Sequence, residues 1–85
     1  MILDFSKKFR KRLLKQSPAV QKRFEQRFEL FLADPFHPIL RNHFLHGTFD
    51  GYRSINITGD VRAVFKQNEH TILFVEIGSH SELYE

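Results

Sequence analysis

Two histidines, an arginine and a tyrosine in the C-terminal half of the chain are the residue types best suited to chemistry on a phosphodiester. His43 precedes the first of three predicted strands, Arg62 lies on the second, and His80 and Tyr84 follow the third. Two imidazoles can serve as general base and general acid near neutral pH. A guanidinium can neutralise the charge that develops on phosphorus, and a tyrosine can stack on a base or orient a hydroxyl.

The pattern of possible ligands does not predict a metal site. The chain has no Cys, and His43-x-x-His46 lacks the Cys partner or the His-Glu-x-x-His helix that is typical of zinc sites. No cluster of Asp and Glu suggests Mg²⁺. We therefore expect a reaction without metal or cofactor, which for RNA is attack by the neighbouring 2′-hydroxyl on phosphorus.

Apolar spacing in the N-terminal half predicts two helices. Residues 1–5 are expected to form a short strand or an extended lead-in, and Ser6 is a suitable N-cap. Phe5, Phe9 and Leu13 recur at helical spacing up to about residue 16, and Ser17-Pro18 is typical of a second helix start. Two prolines between residues 34 and 38 must end that helix.

The C-terminal half changes to a period of two. Residues 52–57, 61–66 and 71–77 read as strands separated by short polar turns, which together form an antiparallel meander. Its apolar face needs a cover, and the Phe-rich helices provide one. The expected fold is α+β, with two N-terminal helices packed on one face of a small antiparallel sheet, and residues 1–85 form a single domain.

The same period of two predicts what the other face of the sheet carries. His80 and Tyr84 can fold back over this face after the third strand, and His43 can approach from the opposite side. The strands themselves contribute polar and charged side chains: Ser54, Asn56, Arg62, Lys66 and Glu76.

The charge is unevenly distributed along the 85 residues. Residues 1–32 carry nine Lys and Arg against three Asp and Glu, a net charge of +6, whereas residues 33–85 carry a net charge of −3. This asymmetry favours an acidic partner such as nucleic acid, although a solvated helix face would give the same pattern. The expected docking residues are Lys7, Lys8, Arg10, Lys11, Arg12 and Lys15.

Three segments of the chain resemble a known family. They are LHGTFDGYR at 45–53, GDVRAVF at 59–65 and IGSHSELY at 77–84. In order and spacing they are similar to the RelE/ParE superfamily of bacterial type II toxin–antitoxin toxins, nearest to its YafQ-like branch. The resemblance implies a RelE-like fold, an antitoxin partner, and cleavage of mRNA in the ribosomal A site to a 2′,3′-cyclic phosphate and a 5′-hydroxyl.

The resemblance also carries residue roles. His43, Asp60, His80 and Tyr84 match the YafQ-like pattern, and Arg62 matches the central-strand Arg of the RelE branch. It implies that His80 donates a proton to the leaving oxygen, that Arg62 stabilises the phosphorane and that Tyr84 stacks on or orients the substrate. The residues expected to bind the substrate are Asn56, Asp60 and Lys66.

Two positions depart from the YafQ-like pattern. Asn56 stands where the pattern has His, and Glu76 stands where it has Arg. An acid is unfavourable in a phosphate-binding face because of Coulomb repulsion. Glu76 is therefore expected to act as a base, in competition with His43, or to hold Arg62 in place.

Two other functions fit the same sequence. A ParE-like toxin would use this scaffold to inhibit DNA gyrase, but the pairing of His80 with Tyr84 favours an RNase. A structural RNA-binding module would keep the basic helices without chemistry.

Residues 1–12 lack the apolar run of a secretory signal, and no run approaches the ~20 residues of a membrane span, so the cytoplasm of a bacterium is the expected compartment.

Overall fold

Eight helices and strands follow one another in the computed structural model, which describes residues 1–84. In chain order they are β1 (Ile2–Phe5), α1 (Lys7–Lys15), α2 (Pro18–Ala33), β2 (His43–Phe44), β3 (Arg53–Asn56), β4 (Val61–Gln67), β5 (Thr71–Ser79) and α3 (His80–Tyr84). Single 3₁₀ turns at Pro38–Leu40 and Gly47–Phe49 flank β2.

The first two helices begin where the sequence predicts them. Ser6 Oγ accepts from the Phe9 N–H at 3.0 Å, and Ser17 Oγ accepts from the Val20 N–H at 3.2 Å. Each bond satisfies an amide that has no partner within its own helix. Pro18 takes the first position of α2, where its missing N–H costs nothing.

The sheet has five strands in the order β1-β5-β4-β3-β2. Strands β3, β4 and β5 form the antiparallel meander predicted from the sequence. β1 adds a parallel pairing, with Ile2 opposite Thr71, so the sheet is mixed and not wholly antiparallel. The α+β class is confirmed, and the extra strand gives hydrogen-bond partners to an edge of β5 that the meander alone would leave open.

The first face of the sheet packs against α1 and α2 around Phe74. This side chain is fully buried and contacts a shell of aromatic rings. Their centroids lie 5.1–6.1 Å from that of Phe74, a range in which edge-to-face and offset pairs add to the energy of burial. The surrounding rings are Phe5, Phe9, Phe24, Phe28, Phe31 and Phe65.

The second face carries a smaller apolar cluster of Leu45, Val64 and Leu83, with α3 folded over it. A β-bulge interrupts the register of β4 and β5, because Val64 faces Glu76 whereas Phe65 faces Phe74. Val75 is thereby left without a partner. No helix within residues 1–84 is long and apolar enough to cross a bilayer.

Candidate active site

A pocket of about 410 Å³ opens on the second face of the sheet, between β2, β3, β4 and α3. Within residues 1–84 its lining holds two arginines, three histidines and no carboxylate, so its electrostatic character suits an anion. The residues that line it are Arg41, His43, Leu45, His46, Ser54, Asn56, Arg62, His80 and Tyr84.

His43 enters the pocket from β2, where it pairs with Ser54 of β3. Its Nδ1 lies 2.6 Å from the carbonyl oxygen of Arg41. A carbonyl oxygen only accepts, so Nδ1 must carry the proton of this hydrogen bond. In the neutral imidazole Nε2 is then the unprotonated nitrogen, which is the form that a general base requires.

Arg62 is held by the turn that precedes its own strand. It lies on β4 between Asn56 of β3 and Gly78 of β5. Its Nη1 donates to the carbonyl oxygens of Thr58 at 3.1 Å and Gly59 at 3.2 Å. These two bonds hold Nη1 in place. They do not use Nε or Nη2, so the donors on those two nitrogens can bind an anion.

His80 and Tyr84 enter the pocket from α3, four residues apart and therefore on one side of the helix. Their ring centroids lie 4.8 Å apart, with the planes at 68°. The His80 N–H donates to the carbonyl oxygen of Asp60 at 3.2 Å, and Tyr84 Oη donates to Ser54 Oγ at 3.5 Å. The expectation that this segment folds back over the second face is confirmed.

A reciprocal cap fixes the start of α3. The Ser79 N–H donates to Glu82 Oε1 at 2.8 Å, and the Glu82 N–H donates to Ser79 Oγ at 3.2 Å. This is a capping box. The bonds from the amide and hydroxyl of Ser79 hold the pKa of Glu82 below its ordinary value. α3 packs closely on β5 at Gly78, where a Cβ would lie 3.4 Å from Glu82 Cβ.

Glu76 lies on the second face but outside the pocket. The residue is 5% exposed, and its carboxylate oxygens lie 2.9 Å from Lys8 Nζ and 3.2 Å from Arg12 Nε. The structure therefore pairs Glu76 with α1, whereas the sequence led us to expect it beside Arg62. The reason is local: α1 runs along the edge of β5 next to this position, and its cations are the ones within reach.

Two of the residues expected to bind substrate also lie outside the pocket. The contact of Asp60 with a pocket residue is through its backbone carbonyl oxygen, which accepts a hydrogen bond from the His80 N–H. Lys66 is exposed, with its Nζ 5.7 Å from the ring centroid of Tyr52. Asn56, the third such residue, does line the pocket.

The six basic residues expected to dock RNA do not all remain available for an external anion. Lys8 and Arg12 contact Glu76, and Arg10 lies 3.6 Å from Asp4. Lys7, Lys11 and Lys15 also belong to α1 and are exposed. These last three are the better candidates for an external phosphate.

Four residues that line the pocket were missing from the set predicted by sequence: Arg41, Leu45, His46 and Ser54. Ser54 could have been chosen by its alternation with Asn56 along β3. Arg41 could not, because its position depends on a left-handed backbone with φ of 47° after a 3₁₀ turn. Across residues 1–84, no three His, Cys, Asp or Glu side chains converge as metal ligands do.

Comparisons with known proteins agree with this architecture. Residues 2–85 match the family model described as "Bacterial toxin of type II toxin-antitoxin system, YafQ". A search of curated protein sequences gives no significant match.

Solved structures extend the likeness over nearly the whole chain. YafQ from E. coli strain BL21(DE3) superposes with a TM-score of 0.79 at 19% identity, covering 98% of this chain and 97% of that one. YafQ in the E. coli DinJ–YafQ complex gives 0.74 at 17% identity, covering 98% and 97%. A metal-bound toxin from Helicobacter pylori gives 0.71 at 26% identity, covering 99% of both chains.

The likeness to the two E. coli structures establishes the fold, and the family model, which spans residues 2–85, establishes the relationship. The chain therefore belongs to the YafQ family of toxins of bacterial type II toxin–antitoxin systems.

Proposed function

We propose that this toxin is a ribosome-dependent endoribonuclease that cuts mRNA by attack of a 2′-hydroxyl on the adjacent phosphorus. The observation that carries the proposal is the pocket that combines His43, Arg62 and His80 and that, among residues 1–84, is lined by no carboxylate. Two imidazoles from different elements and a held guanidinium are the groups that such a transfer needs.

The proposed reaction begins at His43. Its Nε2 removes the proton of the 2′-hydroxyl, and O2′ attacks phosphorus as the bond to the 5′-oxygen lengthens. The free donors of Arg62 stabilise the charge on the non-bridging oxygens. Protonated His80 then donates its proton to the departing 5′-oxygen, which leaves a 2′,3′-cyclic phosphate and a 5′-hydroxyl.

The other residues of the pocket orient the substrate. Tyr84 presents a half-buried ring, held by the edge of His80, on which a base can stack. Asn56 lies beside Arg62 and can bond a sugar or phosphate oxygen. Arg41 adds a second positive charge at the rim of the pocket.

The shape and charge of the molecule support its dependence on the ribosome. The pocket is open to solvent and does not enclose its ligand, so a second surface can help to hold the RNA. Lys7, Lys11 and Lys15 offer an exposed basic surface on α1 for the phosphates of ribosomal RNA.

An antitoxin is the proposed protein partner. The chain matches a structure of the E. coli DinJ–YafQ complex over 98% of its length, and that likeness supports a cognate antitoxin as partner. A net charge of +3 also favours an acidic partner.

The test is a translation reaction with purified ribosomes, a defined message and the toxin, read by primer extension. We expect cuts within the message only when ribosomes are present, with 2′,3′-cyclic phosphate at the new 3′ ends. Inhibition of gyrase supercoiling without any cut would instead assign the toxin to the ParE-like class.

A further inference from the structure

Arg53 bonds the residue next to His43, and it does so from the opposite side of the sheet. Residues of a strand alternate between faces, so Ser54 lines the pocket on the second face whereas the side chain of Arg53 lies on the first. Arg53 Nε donates to Asn42 Oδ1 at 2.8 Å. The guanidinium therefore holds the residue that immediately precedes His43, although Arg53 does not line the pocket.

Two phenylalanine rings hold the guanidinium of Arg53. Its Cζ lies 4.1 Å from the ring centroid of Phe44 and 5.3 Å from that of Phe36. Both distances fall within the range of a cation–π contact. Phe44 belongs to β2 and Phe36 to the segment that leads to it, so one side chain of β3 contacts both. The stacking restricts the plane of the guanidinium and hence the direction in which Nε donates.

Asn42 is hydrogen-bonded at both ends of its side-chain amide. Its Nδ2 donates to the carbonyl oxygen of Pro35 at 2.9 Å, while its Oδ1 accepts from Arg53. Residue 42 also lies between the carbonyl of Arg41 and the ring of His43, whose Nδ1 is 2.6 Å from that carbonyl oxygen. The bond from His43 to Arg41 spans residue 42, so a fixed Asn42 holds the two groups on either side of it.

The strand that carries His43 has little other support. β2 has two residues and lies at the edge of the sheet, and the His43 side chain is exposed. The preceding segment is anchored in the core by the fully buried Leu40, but Arg41 and Asn42 follow that anchor. An exposed ring on a short edge strand ordinarily samples several rotamers, because little packing restricts it. The bond from Arg53 to Asn42 is the contact that restricts this part of the chain from across the sheet.

We propose that Arg53 is a positioning residue for His43: through Asn42 it holds the Arg41 carbonyl against Nδ1 and so keeps Nε2 unprotonated and directed into the pocket. This inference rests on the proposed endoribonuclease function. Since Arg53 does not line the pocket, its loss should lower the rate of cutting and leave ribosome binding unchanged.

The first experiment observes the ring nitrogens of His43 in Arg53→Met. Methionine keeps a flexible chain between the two phenylalanine rings but has no N–H to donate to Asn42. Long-range proton–nitrogen NMR, at a pH where imidazole is neutral, should show the Nδ1–H form in wild type and a mixture of both tautomers in the variant. Arg27→Met removes a half-buried arginine from α2 and should leave the His43 signals unchanged.

The second experiment tests whether Arg53 acts through His43. Arg53→Met should cut a ribosome-bound message up to about 10²-fold more slowly than wild type, the scale of a 1 Å misplacement in an active site. In a His43→Ala background the same substitution should cost nothing further, because the group that it positions is gone. An equal loss in both backgrounds would mean that Arg53 contacts the RNA itself and would overturn the inference.

Asn42→Leu removes the same hydrogen bond from its other side. It should reproduce the mixed tautomers and the slower cutting, and the double variant with Arg53→Met should be no worse than either single one. The nitrogen signals separate this inference from the proposed function. Loss of the Nδ1–H form in both variants supports the positioning role even if no message is cut. Wild-type rates with unchanged His43 signals in both would overturn it while leaving the endoribonuclease in place.

Discussion

The Nδ1 of His43 lies 2.6 Å from the carbonyl oxygen of Arg41, two residues earlier in the chain. This short bond fixes both the orientation of the ring and the nitrogen that carries the proton. The carbonyl reaches the ring because Arg41 adopts a left-handed conformation, with φ of 47°, directly after a 3₁₀ turn. A backbone feature outside the sheet thus prepares Nε2 as the proton acceptor in the proposed reaction.

Replacement of His43 by alanine should abolish most of the cleavage without unfolding the protein. Loss of a general base typically costs 10²–10⁴-fold in rate, and the His43 side chain is exposed, so little packing is lost. The measurement is the rate of message cutting on ribosomes, with far-ultraviolet circular dichroism as the check on folding. His70→Ala, an exposed change in the β4–β5 turn, is the matched control, and an equal loss in both variants would remove His43 from the mechanism.

Arg62→Lys should behave almost like Arg62→Ala. Lysine keeps the positive charge, but its three donors sit on one nitrogen, whereas the guanidinium bonds the carbonyls of Thr58 and Gly59 through Nη1 and keeps separate donors for a phosphate oxygen. We expect both variants to lose growth arrest on induction, while Lys66→Ala, outside the pocket, keeps it. Full toxicity of Arg62→Lys would mean that charge alone suffices at this position.

Much of this architecture could be predicted from the sequence, because its signals are local. The apolar spacing of Phe9 and Phe24, with a serine cap before each helix, indicates α1 and α2, and the period of two places Asn56 and Arg62 on one face. The parallel pairing of β1 with β5 could not be derived, since four residues carry no information about a partner about 70 positions away.

The ion-pair partners of Glu76 also could not be predicted from local sequence patterns. The strand period placed its side chain on the correct face, but a bulge at Val75 and the path of α1 decide which charges it meets. The net charge of the C-terminal half was also a poor guide to the charge of the site. That half is acidic overall, whereas the pocket within it is lined by basic residues.

The cap on α3 should make the stability of the toxin depend on pH in the acidic range. The pKa of Glu82 in the folded state lies below its ordinary value of 4.5, so its carboxylate stabilises the fold above that pH. This contribution is lost as the pH falls through the folded-state pKa. Urea unfolding from pH 6 to pH 3 should show the loss in wild type and a smaller dependence in Glu82→Gln; identical pH profiles would contradict the role of the cap.

The exposed lysines of α1 should determine how strongly ribosome binding depends on salt. Each phosphate contact releases counterions, so replacement of Lys7, Lys11 and Lys15 by glutamine should reduce the slope of log affinity against log salt by up to about 2–3. A sedimentation assay over a series of KCl concentrations measures the slope. The control variant replaces Lys22, Arg23 and Arg27 on α2 by glutamine. An unchanged slope in the α1 variant would place the docking surface elsewhere.

Primer extension on a translated message, with wild type and His80→Ala side by side, tests the central claim most directly. His80 is exposed and its backbone N–H bond to Asp60 survives the substitution, so the variant should fold and bind as wild type does. We predict ribosome-dependent cuts with cyclic phosphate ends for wild type, and at least 10²-fold fewer for His80→Ala. Equal cutting by both proteins, or no cutting by wild type on ribosomes that it binds, would contradict the account.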